Sequence, residues 1–122
     1  MAEQRDRWTL EWYVTANGEH PLHTFLESLT GRNKEEAIAL IELLEKWGNR
    51  LRPPRSRALG DGLFELRGHQ VRIFYVFRPG RRVALLDGMI KKQDRIPQGA
   101  LGMMREYQRH IREMDTKGGR TP

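Results

Sequence analysis

With 122 residues and 38% hydrophobic content, the chain has apolar material for one modest core and not for two. It holds 22 Lys and Arg against 16 Asp and Glu, a formal charge of +6, and no cysteine. Disulfide and thiol chemistry are therefore excluded, and acidic partners such as nucleic acid, anionic membrane or an acidic protein are favoured; a basic surface kept for solubility is the plain alternative.

The N-terminal stretch MAEQRDRWTLEWYV has mixed charges and no long apolar run, so neither a signal peptide nor a membrane span is expected, and the cytoplasm is the expected location. Trp8 to Thr15, WTLEWYVT, has strand propensity with imperfect alternation and reads as a first strand at a sheet edge or beside the main strands. Trp12 and Tyr13 there fit a core role better than a stacking platform for bases. Asn17 and Gly18 mark a turn and Pro21 opens a helix. The spacing of Leu22, Phe25, Leu26 and Leu29 gives one short helix ending at Thr30-Gly31. Asn33 is the expected cap of a second helix, with Glu35 and Glu36 in its first turn, an apolar stripe through Ala37, Ile38, Ile41, Leu44 and Trp47, and a stop at Gly48. The two helices form a hairpin that covers one sheet face.

Asn49 to Gly60, NRLRPPRSRALG, reads as a connector stiffened by Pro53-Pro54 and carrying Arg50, Arg52, Arg55 and Arg57, with Arg57 nearest the sheet. Asp61 to Pro97 is the organising stretch. Its runs of Val, Ile, Leu, Phe and Tyr, broken at Gly68-His69 and Pro79-Gly80, predict three antiparallel strands in a meander. If Gly68-His69 is a two-residue loop, Arg67 opposes Gln70 and Glu65 opposes Arg72. Arg67 and Arg72 then share a face with Glu65, while Phe64, Leu66, Val71 and Ile73 face the helices. A three-residue loop instead puts the two arginines on opposite faces. A type II turn at Pro79-Gly80 sets Arg72 opposite Asp87, where Glu65, Arg72 and Asp87 can form a simple ion network. Lys91 and Lys92 follow the last strand. A final helix is predicted from Gln98 to Glu113, and TKGGRTP reads as a frayed end.

No glycine-rich phosphate loop, HExxH motif or metal-binding histidine spacing is present, and His20 and His23 read as a surface pair. What remains is phosphate handling by arginine and lysine. Cationic groups around a cleft align a phosphodiester and offset charge developing on its oxygens. On RNA the neighbouring 2′-hydroxyl can serve as nucleophile, so no metal or other cofactor is called for. His110 or Tyr107 on the last helix is a possible proton-transfer group, with packing or solvation as the simpler role for each.

The segments LGDGLFELR, VRIFYVF and VALLDGMIKKQDRIP, in that order, resemble the phage-derived HigB-like branch of the RelE/ParE toxin superfamily. FLESL and the second helix are similar to that family's helical hairpin. The resemblance implies an α+β, RelE-like domain over residues 1–114, followed by a flexible tail over 115–122. In that domain a curved antiparallel sheet carries the N-terminal helical hairpin on one face, with a C-terminal helix. It further implies a type II toxin that cuts mRNA on the ribosome by 2′-hydroxyl attack and is neutralised by a helix-turn-helix antitoxin. Carried over residue by residue, Arg67, Arg72, Lys91 and Lys92 are the implied catalytic set and Arg57 an implied RNA contact, with Arg55 and Arg95 as further candidate RNA contacts from their charge. Arg57 stands where the family often has lysine, Met89 where it has an aromatic, and Gln93-Asp94 where it has threonine. A DNA gyrase inhibitor and a non-catalytic basic RNA- or protein-binding module are the alternative functions.

Overall fold

Strand β4 (Val71–Arg78) is the centre of the molecule, with its first six residues buried because helices cover both of its faces. The computed structural model describes residues 7–92 and 95–119. Around β4 lie β1 (Thr9–Trp12), α1 (Pro21–Ser28), α2 (Gly31–Trp47), a 3-10 turn (Gly48–Arg50), β2 (Ser56–Gly60), β3 (Leu63–Arg67), β5 (Arg82–Ile90) and α3 (Gln98–Gly119). The strands make one sheet in the order β1-β5-β4-β3-β2. Among the described residues no helix is long and apolar enough to cross a membrane.

The period-2 alternation of β4 sorts its side chains into two cores. On one face Ile73 and Tyr75 pack with Leu66, Val71, Val83 and Leu85 against Leu22 of α1 and Ala37, Leu40 and Leu44 of α2. On the other, Phe74 and Val76 join Leu63, Ala84 and Leu86 beneath Met104 and Ile111 of α3. The helical hairpin on one face, the C-terminal helix and the inward set of Leu66, Val71 and Ile73 thus follow from the apolar spacing.

Three features depart from the sequence expectation. The sheet is mixed, because β1 runs parallel to β5. Ser56–Gly60 is an edge strand paired with β3, where the sequence reads as a connector; an edge strand with one neighbour needs little apolar content, and Arg57 interrupts the pattern. Helix α3 runs on to Gly119, past the expected end at Glu113. The remaining tail residues, 120–122, lie outside the described residues.

The turns also shift. Helix α2 begins at Gly31 with Thr30 as its cap residue, three positions before the expected cap at Asn33. It ends at Gly48, whose φ of 51° and contact with the Trp8 ring leave no room for a Cβ. The β3–β4 turn is centred on His69-Gln70, since Gly68 N–H donates to Val71 O at 3.0 Å. Arg67 therefore pairs with Arg72 and Glu65 with Phe74. The β4–β5 loop takes in Pro79, Gly80 and Arg81, with Arg78 opposite Arg82, and a bulge between Phe74 and Tyr75 adds another residue on β5. Arg72 consequently sits opposite Met89, and Asp87 opposite Phe74.

Asp115 anchors the end of α3. The Arg78 guanidinium, 16% exposed, donates to Asp115 Oδ1 at 2.6 Å and to Glu11 Oε1 at 2.9 Å, joining α3 to β4 and β1. The Asp115 bond, with help from Glu11, lifts the Arg78 pKa above its ordinary value despite partial burial. Arg78→Ala leaves both carboxylates with only the longer Arg82 contacts, 3.3 Å to Glu11 and 3.9 Å to Asp115, and is expected to cost about 1–2 kcal/mol, with faster amide exchange in the last turns of α3.

Candidate functional site

Residues directly opposite one another on neighbouring strands share a face, so the pairing places a set of charges together. One row across the sheet reads Arg57, Glu65, Phe74, Asp87. The next reads Arg67, Arg72, Met89. Both rows lie on the face that α3 covers toward the other end of β3. Beside the turn of the β3–β4 hairpin, Glu65, Arg67, Arg72, Met89, Lys91, Arg95 and Ile96 line one pocket.

The hairpin is held by a carboxylate from the opposite layer. Glu36 of α2 accepts the backbone N–H groups of His69, Gln70 and Val71 at 2.8, 3.1 and 3.0 Å. Burial pushes this carboxyl up, but those three bonds and the nearby His69 outweigh it and leave its pKa below the ordinary value. Gly68 is required here, because a Cβ would strike the Glu36 carboxylate. This clamp explains why the turn lies one residue later than Gly68-His69.

The same turn orients Arg72, which is 7% exposed. Its Nη1 donates to Gly68 O at 2.7 Å and Val71 O at 3.1 Å. Desolvation lowers its pKa, offset by Glu65, deepened by Arg67 and offset again by Glu36. Glu65 is 2% exposed, with Oε1 3.5 Å from Arg67 Nε. Burial raises the Glu65 pKa, with Arg67, Arg72 and Arg57 opposing. Burial outweighs the three arginines, so the net shift of Glu65 is upward.

The structure gathers part of the expected set. Arg67, Arg72, Lys91 and Arg95 meet at the pocket, and the Lys91 N–H donates to Gln70 O at 2.6 Å, tying the strand exit to the hairpin turn. Arg57 lies on the same face beside Glu65. Arg55 contributes its carbonyl, which accepts the Arg67 N–H at 2.8 Å, and its side chain is exposed at the sheet edge. Lys92 lines a different groove with Phe25, Met89, Ile90 and Pro97. Gln93 and Asp94 lie outside the described residues.

Tyr107 and His110 sit elsewhere. The Tyr13 hydroxyl and His110 Nδ1 are hydrogen-bonded at 2.6 Å, and the Tyr13 and Tyr107 rings approach to 4.7 Å. Tyr13 follows β1, so β5 and β4 intervene between this cluster and Arg67 on β3. Burial together with Asp87 and Glu19 raises the Tyr107 pKa, and burial raises Asp87 in spite of the Gly88 N–H it accepts at 2.7 Å. Tyr13 is thus core, as expected, whereas Trp12 is 45% exposed and lines a surface groove with Val14, His20 and His23. His20 and His23 are both exposed, and His23 pairs with Glu27.

The sequence reading treats Glu36 as a helix-terminus charge and Glu65 as part of an exposed network. The signal for Glu65 is a single acidic residue between Leu63 and Leu66 in a strand that the register buries.

Together these features define a small α+β protein with a mixed five-stranded sheet and a cationic pocket at the end of its central hairpin. The chain belongs to the phage-derived Gp49-like family (DUF891), whose model matches residues 24–113. That family falls broadly among the RelE/HigB-type toxins. A search of curated proteins finds no match.

Proposed function

We propose that the chain is the toxin of a type II toxin–antitoxin pair and that it cleaves mRNA on the ribosome. The observation that carries this reading is the convergence of Arg67, Arg72, Lys91 and Arg95 on one pocket. Arginine's planar fork suits a phosphodiester better than a point charge does, and two forks from adjacent strands offer donors to more than one phosphate oxygen. In the proposed step the 2′-oxygen attacks the adjacent phosphorus and loses its proton to solvent. The bond to the 5′-oxygen breaks, that oxygen takes a proton from solvent, and a 2′,3′-cyclic phosphate and a 5′-hydroxyl end result. Arg67 and Arg72 offset the charge that develops on the phosphoryl oxygens. Lys91, Arg95 and Arg57 extend the cationic surface along the RNA backbone, as membership of this toxin-related family suggests.

The partner in this reading is a helix-turn-helix antitoxin, and the cell compartment is the cytoplasm. Induction from a tight promoter is expected to arrest growth within a generation, with relief when a neighbouring small helix-turn-helix gene is co-expressed. Unimpeded growth under strong expression contradicts the toxin reading. Inhibition of purified DNA gyrase with intact mRNA would instead favour gyrase as the target.

A further inference from the structure

The pocket holds one residue that phosphate binding alone does not call for. Glu65 places a negative charge on the floor of a site whose proposed ligand is an anion. Its Oε2 and the Nε of Arg67 are both buried, and neither has a hydrogen-bond partner. The two side chains are 3.5 Å apart, too far for a hydrogen bond and close enough for strong charge coupling. Arg57 stands directly opposite Glu65, and Arg67 directly opposite Arg72.

Like charges directly opposite one another repel, so the Arg67–Arg72 pair is unfavourable when considered alone. A carboxylate beside it removes that repulsion and draws the arginines toward a common point. The same carboxylate repels an incoming phosphate. A buried apolar residue at this position would relieve the desolvation burden, and surface arginines without a counter-charge would bind anions more tightly. Glu65 does neither, which points to a role in geometry and not in affinity.

We propose that Glu65 is a positioning residue of the pocket, an internal counter-charge that holds Arg67 and Arg72 in the arrangement a phosphoryl transition state needs, at the expense of ground-state affinity for RNA. The proposal rests on the reading of this pocket as a phosphate site. Glu65 lies on the pocket floor with 2% of its surface exposed. It acts through Arg67 and Arg72, whose misplacement by a fraction of an ångström lowers the rate without weakening attraction to a polyanion.

Glu65→Gln keeps the shape and removes the charge, and Glu65→Asp keeps the charge. The probes are a single-stranded RNA blocked by 2′-O-methylation, for binding, and the same RNA unblocked on translating ribosomes, for cleavage. Glu65→Gln is expected to bind the blocked RNA about threefold or more tighter than wild type, with a steeper salt dependence, and to cleave about 10- to 100-fold more slowly. Glu65→Asp is expected to keep wild-type affinity. A wild type that binds and cleaves, with a Glu65→Gln variant that is folded by circular dichroism and equal to it in both assays, overturns the positioning role alone. So does a folded variant that loses binding and cleavage together. A wild type that neither binds nor cleaves overturns the phosphate-site reading and this inference with it.

Discussion

Arg72→Ala is expected to lower mRNA cleavage by at least about 100-fold, the loss typical of removing one donor to a developing oxyanion. Arg72 is held in place within the pocket, because the hairpin turn binds its Nη1 through Gly68 O and Val71 O. Those bonds orient the guanidinium before any ligand arrives, so little ordering remains to be done on binding. Arg72→Lys keeps the charge but loses the planar fork, and is expected to recover only a small part of the activity. The fold should survive both changes. Arg72→Ala loses two hydrogen bonds, but it also relieves the repulsion from Arg67 directly opposite. Single-turnover cleavage on translating ribosomes, with circular dichroism as a folding control, measures both effects. Cleavage within threefold of wild type in Arg72→Ala removes this residue from the chemistry.

The largest effect on stability is expected from Glu36→Ala, at about 2–4 kcal/mol, a fall in Tm on the order of 10 °C. One carboxylate satisfies three consecutive N–H groups of the β3–β4 turn, and alanine leaves all three to find water. Glu36→Gln keeps one acceptor oxygen and should lose about half as much. The pH dependence has a definite sign. The folded-state pKa of Glu36 lies below its unfolded value, so its stabilisation is present above the unfolded value and is lost as pH falls through the folded one. Glu65 has the opposite sign, because its folded-state pKa is raised: its contribution is greatest below the unfolded value and declines as pH rises through the folded one. Denaturant titrations from pH 3 to 7 should therefore show Glu36→Ala converging on wild type at low pH. An unchanged stability gap across that range contradicts the clamp. Because the clamp also orients Arg72, the same variant should lose activity at temperatures where it remains folded.

The layered fold was legible in the chain because apolar periodicity reports which side of an element is buried. Ile73 and Phe74 on β4 already require two covered faces, and Leu22, Ala37 and Leu44 from the expected helical stripes cover one of them, although Leu40 and not Ile38 or Trp47 completes the buried side of α2. The shared face of Arg67 and Arg72 was legible for a similar reason. Moving the turn from Gly68-His69 to His69-Gln70 changes which residues stand opposite, but it preserves the parity that sets the face. What could not be read were features set by contacts distant in sequence. The turn position depends on Glu36, more than thirty residues earlier, and the Phe74–Tyr75 bulge moves Asp87 away from Arg72. Strand β2 was hidden because its partner β3 supplies most of the buried side chains, while β2 itself buries only Ser56. Tyr107 and His110 carried the right chemistry for proton transfer, but α3 directs them to Tyr13 beyond β5.

The central claim is that Arg67 and Arg72 form a phosphodiester-cleaving site, and mapping RNA ends on translating ribosomes tests it most directly. Purified wild type is expected to produce new 5′-hydroxyl ends within the open reading frame, each matched by an upstream fragment ending in a 2′,3′-cyclic phosphate. The Arg67→Ala, Arg72→Ala double variant should produce neither. Intact mRNA with the wild-type protein, or the same ends with the double variant, contradicts the account.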